Sequence, residues 1–224
     1  MWFPLQRIPV KSARWPGLAL LLALTFWLGA KAGGDGLLYN KYVAPYGIVS
    51  LELAGNDQSA SNIMSFWDRW GGRKIARDSL RYDYFFLAFY STTIALACTM
   101  AAEVFYRRAA KVSRFRSRNQ AQQSISRPNN WLTLGKLGIA LAWAQWVAAL
   151  SDALENVGLT HLLSGSLTSS SGWVRWSHLV WWCAVSKLTL VFLGIAYASA
   201  GALVWAISSV KPKLRFSTPE AKVD

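Results

Sequence analysis

Apolar residues gather into four long stretches separated by polar and charged segments. The first runs from Trp15 to about Ala30, after a leader carrying Arg7, Lys11 and Arg14. The second covers Tyr84 to Tyr106, and the third runs from Trp131 to about Leu150 with a continuation toward Leu163. The fourth extends from Trp173 to Val210. A helix needs about 20 apolar residues to cross a bilayer, a length the last three stretches meet. The pattern therefore predicts an all-α fold, a four-helix transmembrane bundle forming one integral membrane domain over residues 1–224. The expected spans are 15–36, 84–106, 131–157 and 175–208.

The first stretch is short, and Ala30-Lys31-Ala32 also fits a small-x-small signal-peptidase site. A retained helix is the preferred reading, because residues up to 36 can extend it with tilt. Cleavage would instead leave three spans and an outer amino terminus. Between the first two spans, residues 37–81 read as an amphipathic outer segment lying on the membrane or over the bundle. Tyr39, Tyr42 and Tyr46 place aromatic groups near the outer face, and Ser50 to Ala54 alternates or turns around Glu52. Ile63, Phe66, Trp67 and Trp70 recur at three- and four-residue spacing, which predicts a short helix over 59–70 ended by Gly71-Gly72. Residues 107–130 read as a basic cytoplasmic loop, and Ser164 to Gly172 as a Ser/Gly turn.

Composition supports this class. Of 224 residues, 53% are hydrophobic and 16% charged, well below the roughly 25% charged content of soluble domains. The net charge of +13 would suit nucleic acid or a membrane surface. No nucleic-acid motif accompanies it, and the charges cluster at the ends of the apolar stretches, so nucleic acid is not an expected partner. With the amino terminus inside, three basic residues precede the first span, seven fill the second loop and four follow the last span. These fourteen face eight outside: Lys31, Lys41, Arg69, Arg73, Lys74, Arg77, Arg81 and Arg175. Basic residues in short loops stay on the cytoplasmic side, so both termini are expected in the cytoplasm of a bacterium and the helices in its inner membrane.

The candidate chemistry lies in polar residues within the apolar stretches, each of which costs roughly 2.5–3.5 kcal/mol to insert when charged. Asp83, Tyr90 and Ser91 share one face of the second helix, and Gln145, Asp152, Glu155 and Asn156 form a stripe on the third. Lys187 shares a face of the fourth with Gly194, Ala198 and Gly201, the small-residue side on which helices approach. Counting 20 residues from the inner end of each span brings Asp83, Asp152, Glu155 and Lys187 to one outer level. The expected polar cluster is Asp83, Tyr90, Asp152, Glu155, Asn156 and Lys187, with Glu52 as an outer cap. It reads either as a structural clamp or as a ligand site. Its carboxylate excess calls for a protonated carboxyl, unless Arg81 or Arg175 closes over it.

Other constellations are weaker. Cys98 and Cys183 read as two buried hydrophobes, and a bridge between them would need both at one depth. His161 and His178 flank the outer turn, too far from the span centres for a bis-His haem site. No catalytic triad, phosphate loop or two-His motif is present, so no catalytic residue, metal or cofactor is assigned. Trp173, Trp176, Trp181 and Trp182 read as an interfacial aromatic belt before a ligand cage.

The Ser50-Leu51-Glu52-Leu53-Ala54 segment, the Tyr82-Asp83-Tyr84-Phe85-Phe86 start with Tyr90, and Asp152-Ala153-Leu154-Glu155-Asn156 followed by Lys187 resemble small, uncharacterised bacterial multi-pass membrane proteins. The resemblance covers most of residues 48–195 and implies a membrane fold and no particular chemistry. The functional expectation is a multi-pass membrane protein, without enzymatic activity, whose outward polar cluster binds a small ligand, a lipid headgroup or a partner subunit. Its expected partners are the lipid bilayer and a second copy or another membrane subunit. A secondary transporter or proton/ion pathway using the buried carboxylates and Lys187 is the first alternative. An intramembrane enzyme with Asp152 or Glu155 as acid/base comes last.

Overall fold

Long apolar runs, in which Pro16 falls in the first turn of its helix where proline is tolerated, favour helices whose backbone groups satisfy one another, as hydrocarbon requires. The computed structural model describes residues 13–32, 36–119, 130–166 and 175–209. It is an all-α helical bundle, with no strand among the described residues. Four of its helices are long and apolar enough to cross a membrane: α1 (Arg14–Ala32), α4 (Gly72–Asn119), α5 (Asn130–Leu163) and α6 (Trp176–Ser209). Two short helices, α2 (Ile48–Glu52) and α3 (Asp57–Asp68), lie between α1 and α4.

Helix α4 is central and packs against α1, α5 and α6. Its pairing with α1 is marked by polar contacts that hydrocarbon leaves no water to replace. The Thr25 and Thr93 hydroxyls meet at 3.0 Å, Arg14 pairs with Glu103 toward one end, and Ser79 donates to the Ala32 carbonyl at the other. Most of the remaining α1 surface, including Leu20, Phe26 and Trp27, faces outward, as a lipid-facing helix should.

The outer segment folds as a cap. Asn40 Oδ1 accepts from the backbone N–H groups of Tyr42 and Val43 at 2.9 and 3.0 Å, closing a turn of the kind Asn favours. The Asn56 side chain accepts from Ser59 N at 2.8 Å, an N-cap that starts α3. Helix α3 buries Ala60, Ile63, Met64 and Trp67; of the four residues whose spacing predicts it, Phe66 is only partly buried and Trp70 lies exposed beyond the helix end at Asp68. Trp67 is fully enclosed, and its indole N–H donates to the Leu38 carbonyl at 3.1 Å. Gly71, at φ 71°, adopts the left-handed conformation that ends the helix.

Several boundaries differ from the sequence expectation. Residues 72–81, expected in the outer amphipathic segment, form the first turns of α4, and the basic segment after 107 stays helical to Asn119. Of residues 50–54, expected to alternate or turn, Ser50 to Glu52 are helical as the end of α2. The first span was expected to reach residue 36; the described helix α1 covers Arg14–Ala32, Gly36–Leu38 is a 3-10 turn, and residues 33–35 lie outside the described residues. Helix α5 continues past 157 to Leu163. Residues 72–81 bury Ala76, Ser79 and Leu80 between exposed Lys74, Arg77 and Arg81, a pattern that a search for continuous apolarity passes over.

Two apolar cores result. The outer one joins Leu38, Leu51, Trp67, Leu80, Leu159 and Val180. The inner one joins Ala95, Cys98, Ala101, Phe105, Ile139 and Tyr197, where small residues bring α4, α5 and α6 together. A Cβ on Gly201 would come within 2.8 Å of the Ala101 Cα. Between the two cores lies a layer of polar side chains.

Candidate functional site

The polar layer is assembled from α4, α5 and α6 and covered from outside by α2. On α5, the three- and four-residue spacing of Asp152, Glu155 and Asn156 turns all three inward, and each is buried. On α6, Lys187 is positioned by a face that continues inward through Gly194 and Gly201, both buried in the bundle. Lys187 Nζ donates to Asp152 Oδ1 at 2.7 Å and to Glu155 Oε1 at 3.0 Å. Glu52 Oε2, at the end of α2, lies 3.6 Å from the same nitrogen. The side chains of Asp152 and Glu155 are 2% and 0% exposed, and those of Lys187 and Glu52 13% and 12%. The ammonium is thus held from below by α5 and approached from above by α2.

Asp83 occupies the α4 side of the layer. The Asn156 amide donates to its Oδ2 at 2.7 Å, which ties α4 to α5. Tyr90, two turns farther along α4, is buried with its hydroxyl beside Asp152 but outside hydrogen-bond geometry. The second oxygen of Glu155, Oε2, is likewise buried without a partner. Deeper in, the Gln145 amide donates to the Leu190 carbonyl at 3.0 Å. Cys183 lies near the charged group, whereas Cys98 contacts the Gly194 carbonyl in the inner core, and both cysteines are free.

Neither arginine closes over the cluster. Arg81 is exposed beside Asp78. Arg175 grips Asp57, its Nε at 3.0 Å and Nη2 at 2.5 Å from Asp57 Oδ2, while the Ser177 hydroxyl donates to Asp57 Oδ1 at 2.5 Å. This contact clasps the start of α3 to the start of α6, and sequence reasoning missed it because the partners are 118 and 120 residues apart. The Ser177 hydroxyl first, and the Arg175 guanidinium next, hold the Asp57 carboxyl below the usual carboxylate range, against a smaller opposing effect of burial. Arg73 and Arg77 were also read only as basic surface; both donate to the Leu163 carbonyl, at 3.4 and 3.2 Å. They satisfy an open backbone acceptor at the carboxyl end of α5.

The histidines stay apart from the cluster's hydrogen bonds. His161 stacks on Trp176 with ring centroids 4.1 Å apart, and His178 is exposed. Trp181 and Trp182 meet edge to face at 4.7 Å, while Trp173 lies outside the described residues. Among the described residues, no three His, Cys, Asp or Glu side chains converge as a metal site. Chemically, the layer offers one ammonium and four carboxyl groups, with Glu155 Oε2, Tyr90 Oη and, deeper in, Gln145 Oε1 buried without hydrogen-bond partners. It can hold hydrogen-bond donors and positive charge.

No family model, curated protein sequence or solved structure gives a significant match to the chain.

Proposed function

We propose that this membrane protein is non-catalytic and uses its outward polar cluster to bind a small polar ligand, a lipid headgroup or a partner subunit. The observation that carries this reading is the pair of buried, unpartnered oxygens, Glu155 Oε2 and Tyr90 Oη, beside a Lys187 ammonium that is itself well bonded. A clamp serving stability alone would satisfy its buried polar atoms internally, because an unmet buried group costs about 1–3 kcal/mol. Asp152 and Glu155 are both engaged with Lys187, which argues against their service as acid and base. The proposed setting is the bacterial inner membrane with both termini cytoplasmic, supported by the basic second loop. Helix α1 is proposed to be retained, supported by its Thr25–Thr93 and Arg14–Glu103 contacts with α4.

Native mass spectrometry of the purified full chain tests the binding reading. A retained molecule or subunit that is lost from Glu155→Gln is the expected result. An unliganded chain, with Glu155→Gln equally stable and equally unliganded, would reduce the cluster to a clamp. A proton or ion pathway is the second reading, favoured by four carboxylates facing one ammonium. It requires proton or ion flux in proteoliposomes that Glu155→Gln abolishes.

A further inference from the structure

The polar layer sets four carboxyl groups against one ammonium, an excess that either a proton on a carboxyl or an added cation would offset. Glu52 comes from α2, Asp83 from α4, and Asp152 and Glu155 from α5; among the described residues Lys187 is the cation that ion-pairs with this group. Buried carboxylates need compensating positive charge or donors. A metal ion is disfavoured, because the described residues provide no three-ligand group. Two of the unpartnered oxygens indicate which donor would fit. Glu155 Oε2 is an acceptor with no donor, and the Tyr90 hydroxyl beside Asp152 has a free acceptor site. Lys187 already demonstrates the matching chemistry, since one –NH3+ here engages carboxylates from two helices.

We infer that the cluster takes a second primary ammonium, seated against Glu155 Oε2, Tyr90 Oη and Asp152, with Glu52 as the carboxylate that closes over it from outside. Glu52 suits this role because its contact with Lys187 is the longest of the three, at 3.6 Å. Its short helix also lies between Gly47 and Gly55, both left-handed at φ 59° and 69°, where the backbone can turn without a side-chain penalty. The ligand class is a small primary amine or the amine headgroup of a lipid, which present the same –NH3+. This inference rests on the binding reading above and narrows it.

The test follows thermal unfolding of the detergent-purified full chain in methylammonium chloride, against tetramethylammonium chloride at equal ionic strength. Tetramethylammonium carries the charge without an N–H donor. Methylammonium should produce a saturable rise of about 5–10 °C at roughly 100 times its dissociation constant, and tetramethylammonium should not. Glu155→Gln should abolish the response. Tyr90→Phe, which removes only the hydroxyl, should raise the half-effect concentration by about tenfold, so the test survives a failure of the first variant to fold. Retention of phosphatidylethanolamine in native mass spectra, with displacement by methylammonium, assigns the headgroup; a methylammonium response without retained lipid assigns the free amine. Equal responses to the two salts, or a methylammonium response unchanged in both variants, would overturn the inference. So would stabilisation produced by acidification alone, which would make the missing charge a proton. A retained neutral or anionic molecule would overturn the ammonium assignment and leave the binding reading standing. No retained molecule and no saturable response to methylammonium, sodium or glycerol would overturn both.

Discussion

Lys187 is bonded to Asp152 and Glu155 while Glu52 stands above it, so deleting its charge strands carboxylates that pair with no other cation among the described residues. Removing one member of a buried pair costs about 3–5 kcal/mol, and Lys187→Met should lose about that much in reversible unfolding. Combining it with Glu155→Gln or Asp152→Asn should restore part of the loss. Additivity within about 0.5 kcal/mol in both double variants would contradict the contacts. The residues of this cluster were legible in the sequence because charge inside an apolar stretch is expensive and helical periodicity tells which charges share a face. Glu52 was legible as an outer cap of the cluster, but its approach to the Lys187 ammonium at 3.6 Å depends on tertiary folding. Asp57 carried no signal, since it sits in polar chain where a charge needs no explanation; Arg175 was legible only as a possible cover for the cluster, and its meeting with Asp57 beside Ser177 depends on tertiary folding.

Helices pack here by small residues at chosen points, and the same substitution should give opposite results at different glycines. Gly201→Ala would drive a methyl group into Ala101, including its backbone Cα at 2.8 Å. Separating α4 from α6 in this way should cost about 1–3 kcal/mol. Gly17→Ala on α1 meets nothing within 4 Å, and helix propensity alone should make it neutral or stabilising by up to about 1 kcal/mol. Comparing the two unfolding midpoints checks the interface; equal effects would refute it. The cap should respond to acid through Asp57. Its folded carboxyl titrates below the ordinary 3.8, so its contribution to holding α3 on α6 is complete above that value and fades as pH falls below it. Hydrogen exchange of α3 amides, corrected for intrinsic rates, should quicken below about pH 4 and should quicken at neutral pH in Asp57→Ala. Unchanged protection in that variant would remove Asp57 from the clasp. The existence of the long helices could be read from apolar runs, but their ends could not. Arg73, Arg77 and Arg81 precede the apolar part of α4, and a basic run ahead of a span looks the same whether it is a loop or an amphipathic turn.

For the whole molecule, the proposed sidedness rests on the basic count. Reporter fusions at Ser117 and Lys213 should read as cytoplasmic and one at Ser169 as external; an external signal at Ser117 would invert the arrangement. Amino-terminal sequencing of the mature chain bears on α1, and a start at Gly33 would remove the helix that pairs Thr25 with Thr93 and Arg14 with Glu103. The class of molecule was legible from hydropathy and charge alone. Its division into two apolar cores with a polar layer between them was not, because that depends on the relative heights of three helices, which sequence spacing fixes only to within several residues.

The 48 residues of α4 make a rod roughly 72 Å long, more than twice the thickness of a hydrocarbon layer of about 30 Å. It starts beside the outer cap, passes Asp83 and Tyr90, and continues well beyond Glu103. Tilted as a rigid body, such a rod would act as a lever. A tilt of about 5° at its outer end would carry the opposite end sideways by roughly 6 Å, a displacement larger than the rise of one helical turn. Movement around the cap would therefore be delivered, magnified and without any further moving part, to the other side of the membrane.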